Sequence, residues 1–190
     1  MPSQMTHLAI AKRFLEKHPN VIKDVQRFLD GNVLPDLHSD KAVSHYGSRT
    51  ERYDIIKYNR EKVNPDKFLI NRDMQDDLNK GVFLHLYVDY QYYNDFVAEY
   101  FKNIGSNRQQ VAIDMYEVSR RDDAYLGEKY GVAYTDTTYG SELKYINDIW
   151  DQEHAERRRQ KKYNFDYPYD FKAVDGFIEK MSDIIIPGND

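Results

Sequence analysis

Residues 81–96, GVFLHLYVDYQYYNDF, place a histidine and an aspartate inside an otherwise apolar and aromatic run. Because residues four apart lie on one face of an α-helix, His85 and Asp89 share a stripe with apolar neighbours. The stripe consists of Leu78, Val82, His85, Asp89, Tyr92 and Phe96. Such a stripe normally faces a core, where an unpaired carboxylate costs roughly several kcal/mol. The fold must therefore bring a partner to Asp89.

Helical periodicity extends over most of the chain and predicts an all-α fold. Ser3 is a candidate N-cap for a first helix that ends before Pro19. A second helix is predicted after Asn20, ending at Gly31. Further helices are predicted from Asn64-Pro65 to about residue 71 and over residues 73–103 (with Gly81 as a candidate break), 107–127, 141–162 and 169–186. Since the sequence contains no repeat, strand-like run or interdomain linker, we expect one domain over residues 1–190, a bundle of six to seven helices.

Residues 32–50, NVLPDLHSDKAVSHYGSRT, have no clear period and contain proline, aspartate, histidine and glycine. We expect this segment to be a long loop, a kind of connection that is usually functional or disordered. Gly31 and Gly47 would let it turn tightly, and Pro35 would stiffen the approach to Asp36. The sequence therefore predicts a long metal-binding loop that carries Asp36 and His45.

The bulk composition excludes several classes of protein. The 190 residues carry a net charge of −5, and the basic run ERRRQKK follows the acidic DQEHAE, so no stable nucleic-acid complex is expected. Cysteine is absent, which excludes thiolate metal sites and fits a reducing cytoplasm. The start of the chain does not resemble a signal peptide, and no run reaches the ~18 apolar residues of a transmembrane segment. We expect a cytoplasmic protein, and its 17 tyrosines leave a homo-oligomer open.

Five residues form a candidate ligand set of nitrogen and oxygen donors without sulfur, which suits zinc or another divalent transition ion. They are His7, Asp36, His45, His85 and Asp89. Each has a simpler interpretation when taken singly. A buried histidine is usually hydrogen-bonded in a core, an aspartate after proline is often a turn residue, and His85 with Asp89 could be a bonded polar pair. The metal hypothesis depends on all five being present together.

The order of four motifs resembles that of the zinc-dependent phospholipase C family, whose fold is shared with zinc-dependent single-strand nucleases. The motifs are MTH, FLDGNVLPD, SHYG and GVFLHLYVDY, which cover residues 5–90. The resemblance implies that Asp36, His45, His85 and Asp89 hold one zinc ion. It also implies that His7 contributes to a neighbouring metal, with Asp89 as the bridging ligand.

The sequence departs from the family pattern after residue 90. Secreted members of the family carry a His-x-x-x-Glu motif on the following helix and use the amino terminus as a ligand. Here residues 107–127 contain Asp114, Glu117 and Asp122 but no histidine, and His154 is the only later one. We therefore expect one or two metal ions rather than three.

The resulting functional hypothesis is hydrolysis of a phosphate ester by metal-activated water. The substrate would be a phospholipid, a nucleotide or a small phosphodiester. The resemblance suggests that Asp36 is both ligand and catalytic base. Arg49 and Arg52 could hold the phosphate by bidentate contacts, and Tyr92, with neighbouring tyrosines, could line the mouth of the pocket.

Two alternatives remain at the level of sequence. The same five residues could bind a metal that only stabilises a non-catalytic helical interaction protein. A phosphohydrolase of the His-Asp type is also all-α, but it requires adjacent histidine and aspartate, and that dipeptide does not occur here.

Overall fold

The computed structural model describes residues 2–47, 63–96, 123–160 and 171–188, and these confirm the all-α prediction. Within them a single isolated bridge, between Tyr46 and Val63, is the only β pairing. The helices are α1 (Gln4–Lys17), α2 (Val25–Leu37), α3 (Lys41–Ser44), α4 (Pro65–Leu69), α5 (Asp77–Gln91), α6 (residues 123–130), α7 (Gly140–Gln160) and α8 (Phe171–Met181). A π-helical turn, Tyr92–Phe96, continues α5, and a 3₁₀ turn, Tyr134–Asp136, precedes α7.

Two helix starts follow the predicted capping pattern. Ser3 Oγ accepts a hydrogen bond from the backbone N–H of Thr6 at 3.2 Å, which begins α1. Asn64 Oδ1 accepts from the backbone N–H of Lys67 at 2.9 Å, and Pro65 occupies the first position of α4. Both helices were predicted from these residues, and both predictions are confirmed.

The second helix has different ends from those predicted. It begins at Val25, because the Asp24 carboxylate caps the backbone N–H of Arg27 at 3.0 Å. It does not end at Gly31 but continues to Leu37, with Pro35 inside its last turn. The predicted long loop over residues 32–50 is therefore wrong for most of its described part, which is helical in α2 and in α3.

Helices α2 and α5 approach each other closely at two glycines, which explains why α2 passes through Gly31. A Cβ atom on Gly31 would overlap the carbonyl oxygen of Leu78, and one on Gly81 would overlap that of Phe28. Neither glycine ends or breaks a helix. Each one removes a side chain so that the two backbones can touch, and this contact aligns the downstream halves of both helices.

Helix α1 covers the α2–α5 pair, and α8 packs on α1. Fully buried side chains from α1, α2 and α5 form the core, among them Leu8, Phe14, Phe28 and Leu84. At the surface, Arg13 of α1 pairs with the Glu179 carboxylate of α8 at 2.8 Å. This arrangement directs one face each of α1, α2 and α5 toward a common interior point.

The later predictions are partly covered by the described residues. The helix predicted over residues 73–103 is observed as α5 and its π-helical continuation, and its remainder lies outside the described residues. Of the helix predicted over residues 107–127, residues 123–127 are described, and they are helical. The observed helix continues to residue 130. In the parts of the chain described, no helix combines the length and apolar character needed to cross a bilayer.

Candidate metal centre

The five predicted ligands converge in the interior, although they come from four helical elements. His7 lies on α1, Asp36 in the last turn of α2, His45 directly after α3, and His85 and Asp89 on α5. All five are buried, with exposed fractions between 0% and 4%. The glycine contact between α2 and α5 places Asp36 opposite His85, and α3 folds back so that His45 closes one side.

The ligand atoms lie at short mutual distances. His45 Nε2 is 3.2 Å from Asp89 Oδ2 and 3.2 Å from His85 Nε2, and His85 Nε2 is 3.7 Å from Asp89 Oδ2. Asp36 Oδ1 lies 3.8 Å from His45 Nε2. The second oxygen of the Asp89 carboxylate, Oδ1, lies 3.3 Å from His7 Nε2. The two oxygens of Asp89 therefore face two different groups of donors.

These separations fit a metal ion. Bonds of about 2.0–2.1 Å in a tetrahedral zinc site place neighbouring ligand atoms about 3.3 Å apart. Both oxygens of Asp89 and both ring nitrogens of His7 are buried and lack a hydrogen-bond partner in the described structure. The Asp89 carboxylate is fully buried and surrounded by imidazole nitrogens, but none of them forms a hydrogen bond to it with acceptable angles. A cation bound between these ligand atoms would satisfy the carboxylate.

Hydrogen bonds to the other ring nitrogens orient two of the histidines. His85 Nδ1 donates to the carbonyl oxygen of Asn32 at 2.8 Å, and His45 Nδ1 is hydrogen-bonded to Ser44 Oγ at 2.8 Å. Burial, followed by the nearby charge of His7, lowers the pKa of His85 to about 3. His85 is therefore a neutral imidazole at pH 7, with its proton on Nδ1 and the lone pair of Nε2 free for a metal.

Both carboxyl groups are ionised despite their burial. Burial would raise the pKa of Asp36, but the Lys41 ammonium and the imidazoles of His85 and His45 outweigh it, and the pKa lies well below its usual value. Lys41 Nζ is 2.8 Å from Asp36 Oδ1, and Gln4 Nε2 donates to Asp36 Oδ2 at 3.1 Å.

Asp89 is kept ionised by different neighbours. Burial would again raise its pKa, but the contacts with His45 and His7 outweigh it and lower the pKa well below the usual range. In this charge state both aspartates can serve as metal ligands.

Four residues of the centre escaped sequence reasoning. Lys41 and Gln4 hold the Asp36 carboxylate, and Asn32 and Ser44 hold the histidine rings. Gln4 lies one helical turn before His7, a spacing that could have revealed it. Lys41 and Asn32 lie in the segment predicted as a loop, and a loop does not indicate that they are close to Asp36. The observed helices α2 and α3 bring them there.

Of the residues predicted to contact substrate, the structure describes Tyr92. Tyr92 is 8% exposed and packs on the rings of Phe96 and Phe177, with centroid distances of 5.3 and 5.8 Å. Its assignment to substrate binding remains a prediction. Arg49 and Arg52 lie outside the described residues, as do Asp114, Glu117, Asp122 and the side chain of His154.

A cavity of about 490 Å³ lies against the last turn of α2 and against α3, the two helices that position Asp36 and His45. Its walls are mostly apolar and include Leu34, Pro35, Val43, Phe68 and Val82. Ser44 lines this cavity and is also hydrogen-bonded to His45, so the cavity adjoins the candidate metal centre at this residue.

Comparisons with known proteins give no indication of function, so the proposal below depends on the geometry of the candidate metal centre and on the sequence. No family model matches the chain, and neither the curated proteins nor the solved structures give a significant match. The resemblance to zinc-dependent phospholipases C therefore remains a prediction that rests on the quoted motifs.

Proposed function

We propose that this chain is a metal-dependent hydrolase that acts on a phosphate ester, with zinc or another divalent transition ion as its cofactor. The observation that carries the proposal is the convergence of three imidazoles on the buried Asp89 carboxylate, which has no hydrogen bond of its own. His45, His85 and Asp89 would hold one ion. His7 and the second oxygen of Asp89 offer ligands to a neighbouring one.

A bound divalent ion supplies a Lewis acid and lowers the pKa of water toward ~7. Asp36 remains ionised beside this position and accepts a hydrogen bond from the attacking water, which orients it. Because its pKa lies well below the usual value, Asp36 is a weak proton acceptor, and its main role is to position the water. Lys41, whose side chain is 26% exposed, places a cation where a phosphate oxygen would arrive.

The adjoining cavity supports a substrate with an organic group attached to the phosphate. An ester whose phosphate lies near Asp36 could extend its apolar part between Pro35 and Phe68. The proposed substrate is thus a small phosphoester. A cytoplasmic location is part of the proposal, supported by the absence of cysteine in the sequence.

The test compares turnover of p-nitrophenyl phosphate and bis(p-nitrophenyl) phosphate by chelator-treated protein before and after addition of zinc, cobalt or manganese. We expect metal-dependent hydrolysis that is lost in His85→Ala and in the isosteric Asp89→Asn. His18→Ala and Asp148→Asn are matched controls, because His18 contacts the Ser182 carbonyl and Asp148 contacts Lys144, both away from the centre and the cavity, and both variants should retain activity.

One result would favour the non-catalytic alternative. If the chain binds metal and chelation lowers its melting temperature, but no phosphoester is hydrolysed above the metal-free control, the metal stabilises the fold and the hydrolase proposal fails.

A further inference from the structure

Asn32 lies against the metal centre without being one of its predicted ligands. It is one helical turn before Asp36 on α2, so the two residues share a face. Its carbonyl oxygen accepts the hydrogen bond from His85 Nδ1, and its backbone nitrogen lies where α2 meets Gly81. The side chain is completely buried, with an exposed fraction of 0%.

The carboxamide of Asn32 has no hydrogen-bond partner. Neither Oδ1 nor Nδ2 is bonded to any group in the described structure, although a carboxamide can form up to four hydrogen bonds. Leaving a buried polar group unsatisfied is unfavourable, and leucine or alanine would suit the interior of a helix better. Folding alone therefore gives no reason for asparagine at this position.

Two buried carboxylates away from the centre, those of Asp30 and Asp77, are satisfied by the protein. The Asp30 carboxylate accepts from the backbone N–H and the hydroxyl of Thr138, both at 2.8 Å. The Asp77 carboxylate accepts from two backbone N–H groups, at 2.7 and 2.9 Å. Asn32 instead resembles His7 and Asp89, whose unsatisfied atoms the proposed metal ions would bind.

We propose that Asn32 is a donor for the bound anion: its Nδ2 group hydrogen-bonds an oxygen of the phosphate held at the metal centre. This inference rests on the proposed function, because it takes a phosphoester as the ligand. The chemistry of the site favours the donor role. Asp36 and Asp89 bring two negative charges, so an incoming oxyanion needs donors. Lys41 and Gln4 are already bonded to Asp36, whereas the Asn32 amide has no partner in the described structure.

The experiment uses the full chain loaded with Co²⁺ and inorganic phosphate as the probe, followed by the visible spectrum of the metal. For Asn32→Leu we expect the dissociation constant for phosphate to rise about tenfold or more, as the loss of a hydrogen bond to a charged group predicts. Affinity for Co²⁺ should stay within about threefold, and the metal-free variant should be at least as stable as wild type. Asn94→Leu, which removes a hydrogen bond to the Tyr90 carbonyl, is the control that should leave phosphate binding unchanged.

Three outcomes overturn the assignment: unchanged phosphate affinity in Asn32→Leu, a matching loss of Co²⁺ affinity, or a wild-type protein that binds Co²⁺ but no phosphate. Asn32→Ala replaces the leucine variant if the latter does not fold. The two proposals fail separately. If wild type binds phosphate in an Asn32-dependent way but hydrolyses no ester, the anion donor stands and the hydrolase proposal fails.

Discussion

Replacing Gly81 by alanine tests whether the contact between α2 and α5 holds the centre together. The added Cβ would overlap the Phe28 carbonyl oxygen and lie 2.8 Å from the backbone nitrogen of Asn32. Both are backbone atoms, so relief requires the helices to separate by more than about 1 Å, because the Cβ would lie 2.0 Å from the oxygen and ordinary contact begins at 3.4 Å. Overpacking of this kind costs about 1–3 kcal/mol or more, against a helix-propensity gain of about 1 kcal/mol.

We expect Gly81→Ala to lower the free energy of unfolding by about 2 kcal/mol and the melting temperature by about 4–8 °C. The same separation would stretch the bond of 2.8 Å between His85 Nδ1 and the Asn32 carbonyl. Because such supporting contacts tune metal affinity by about 10–100-fold, metal binding should weaken by at least about tenfold. Urea unfolding of the metal-free protein and competitive metal titration measure the two effects.

Gly176→Ala is the matched control. Gly176 also lies inside a helix, α8, but an added Cβ would meet nothing within 4 Å. Alanine should therefore stabilise the protein by about 0.5–1 kcal/mol and leave metal affinity unchanged. If Gly81→Ala behaves like Gly176→Ala, the close helix contact does not position the site and the reasoning is refuted.

Three further outcomes follow from the centre. In the metal-free protein, acid should destabilise the fold by up to about 1.4 kcal/mol per pH unit between pH 6 and 3, because His85 binds a proton near pH 6.5 when unfolded but only near 3 when folded. Unfolding titrations should show this slope reduced in His85→Gln, and an equal slope would contradict it. Lys41→Met should raise KM for the phosphoester about tenfold, because it removes a cation that would bind the phosphate. The same change should tighten metal binding, since the ammonium no longer pairs with the Asp36 carboxylate. An unchanged KM in steady-state kinetics would exclude the anion-binding role. Metal at about 100 times its Kd should raise the melting temperature of wild type by about 5–10 °C, and a calorimetric scan without this shift would exclude a specific site.

The cluster of five candidate ligands was predictable from sequence because part of its chemistry is local. Histidine and aspartate four apart on an apolar helix require a buried partner wherever the helix lies, and the remaining ligands occur in recognisable order. Helix starts at Ser3 and Asn64 were predictable for the same reason, since capping involves residues only three positions apart.

The α2–α3 region could not be predicted because tertiary contact decides its structure. Gly31 looked like a helix terminator, but it serves a contact with Leu78, which is 47 residues away. Pro35 looked like a loop residue, and the last turn of α2 accommodates it. The supporting roles of Lys41 and Asn32 depend on this helical backbone, so they became visible only with the structure.

The most direct test of the central claim is an anomalous-difference map from crystals of zinc-loaded protein, measured on both sides of the zinc absorption edge. The account predicts a peak bonded to His45 Nε2, His85 Nε2 and Asp89 Oδ2, at about 2.0–2.2 Å from each. A map with no zinc peak between these three side chains, or with zinc only at surface residues, would contradict it.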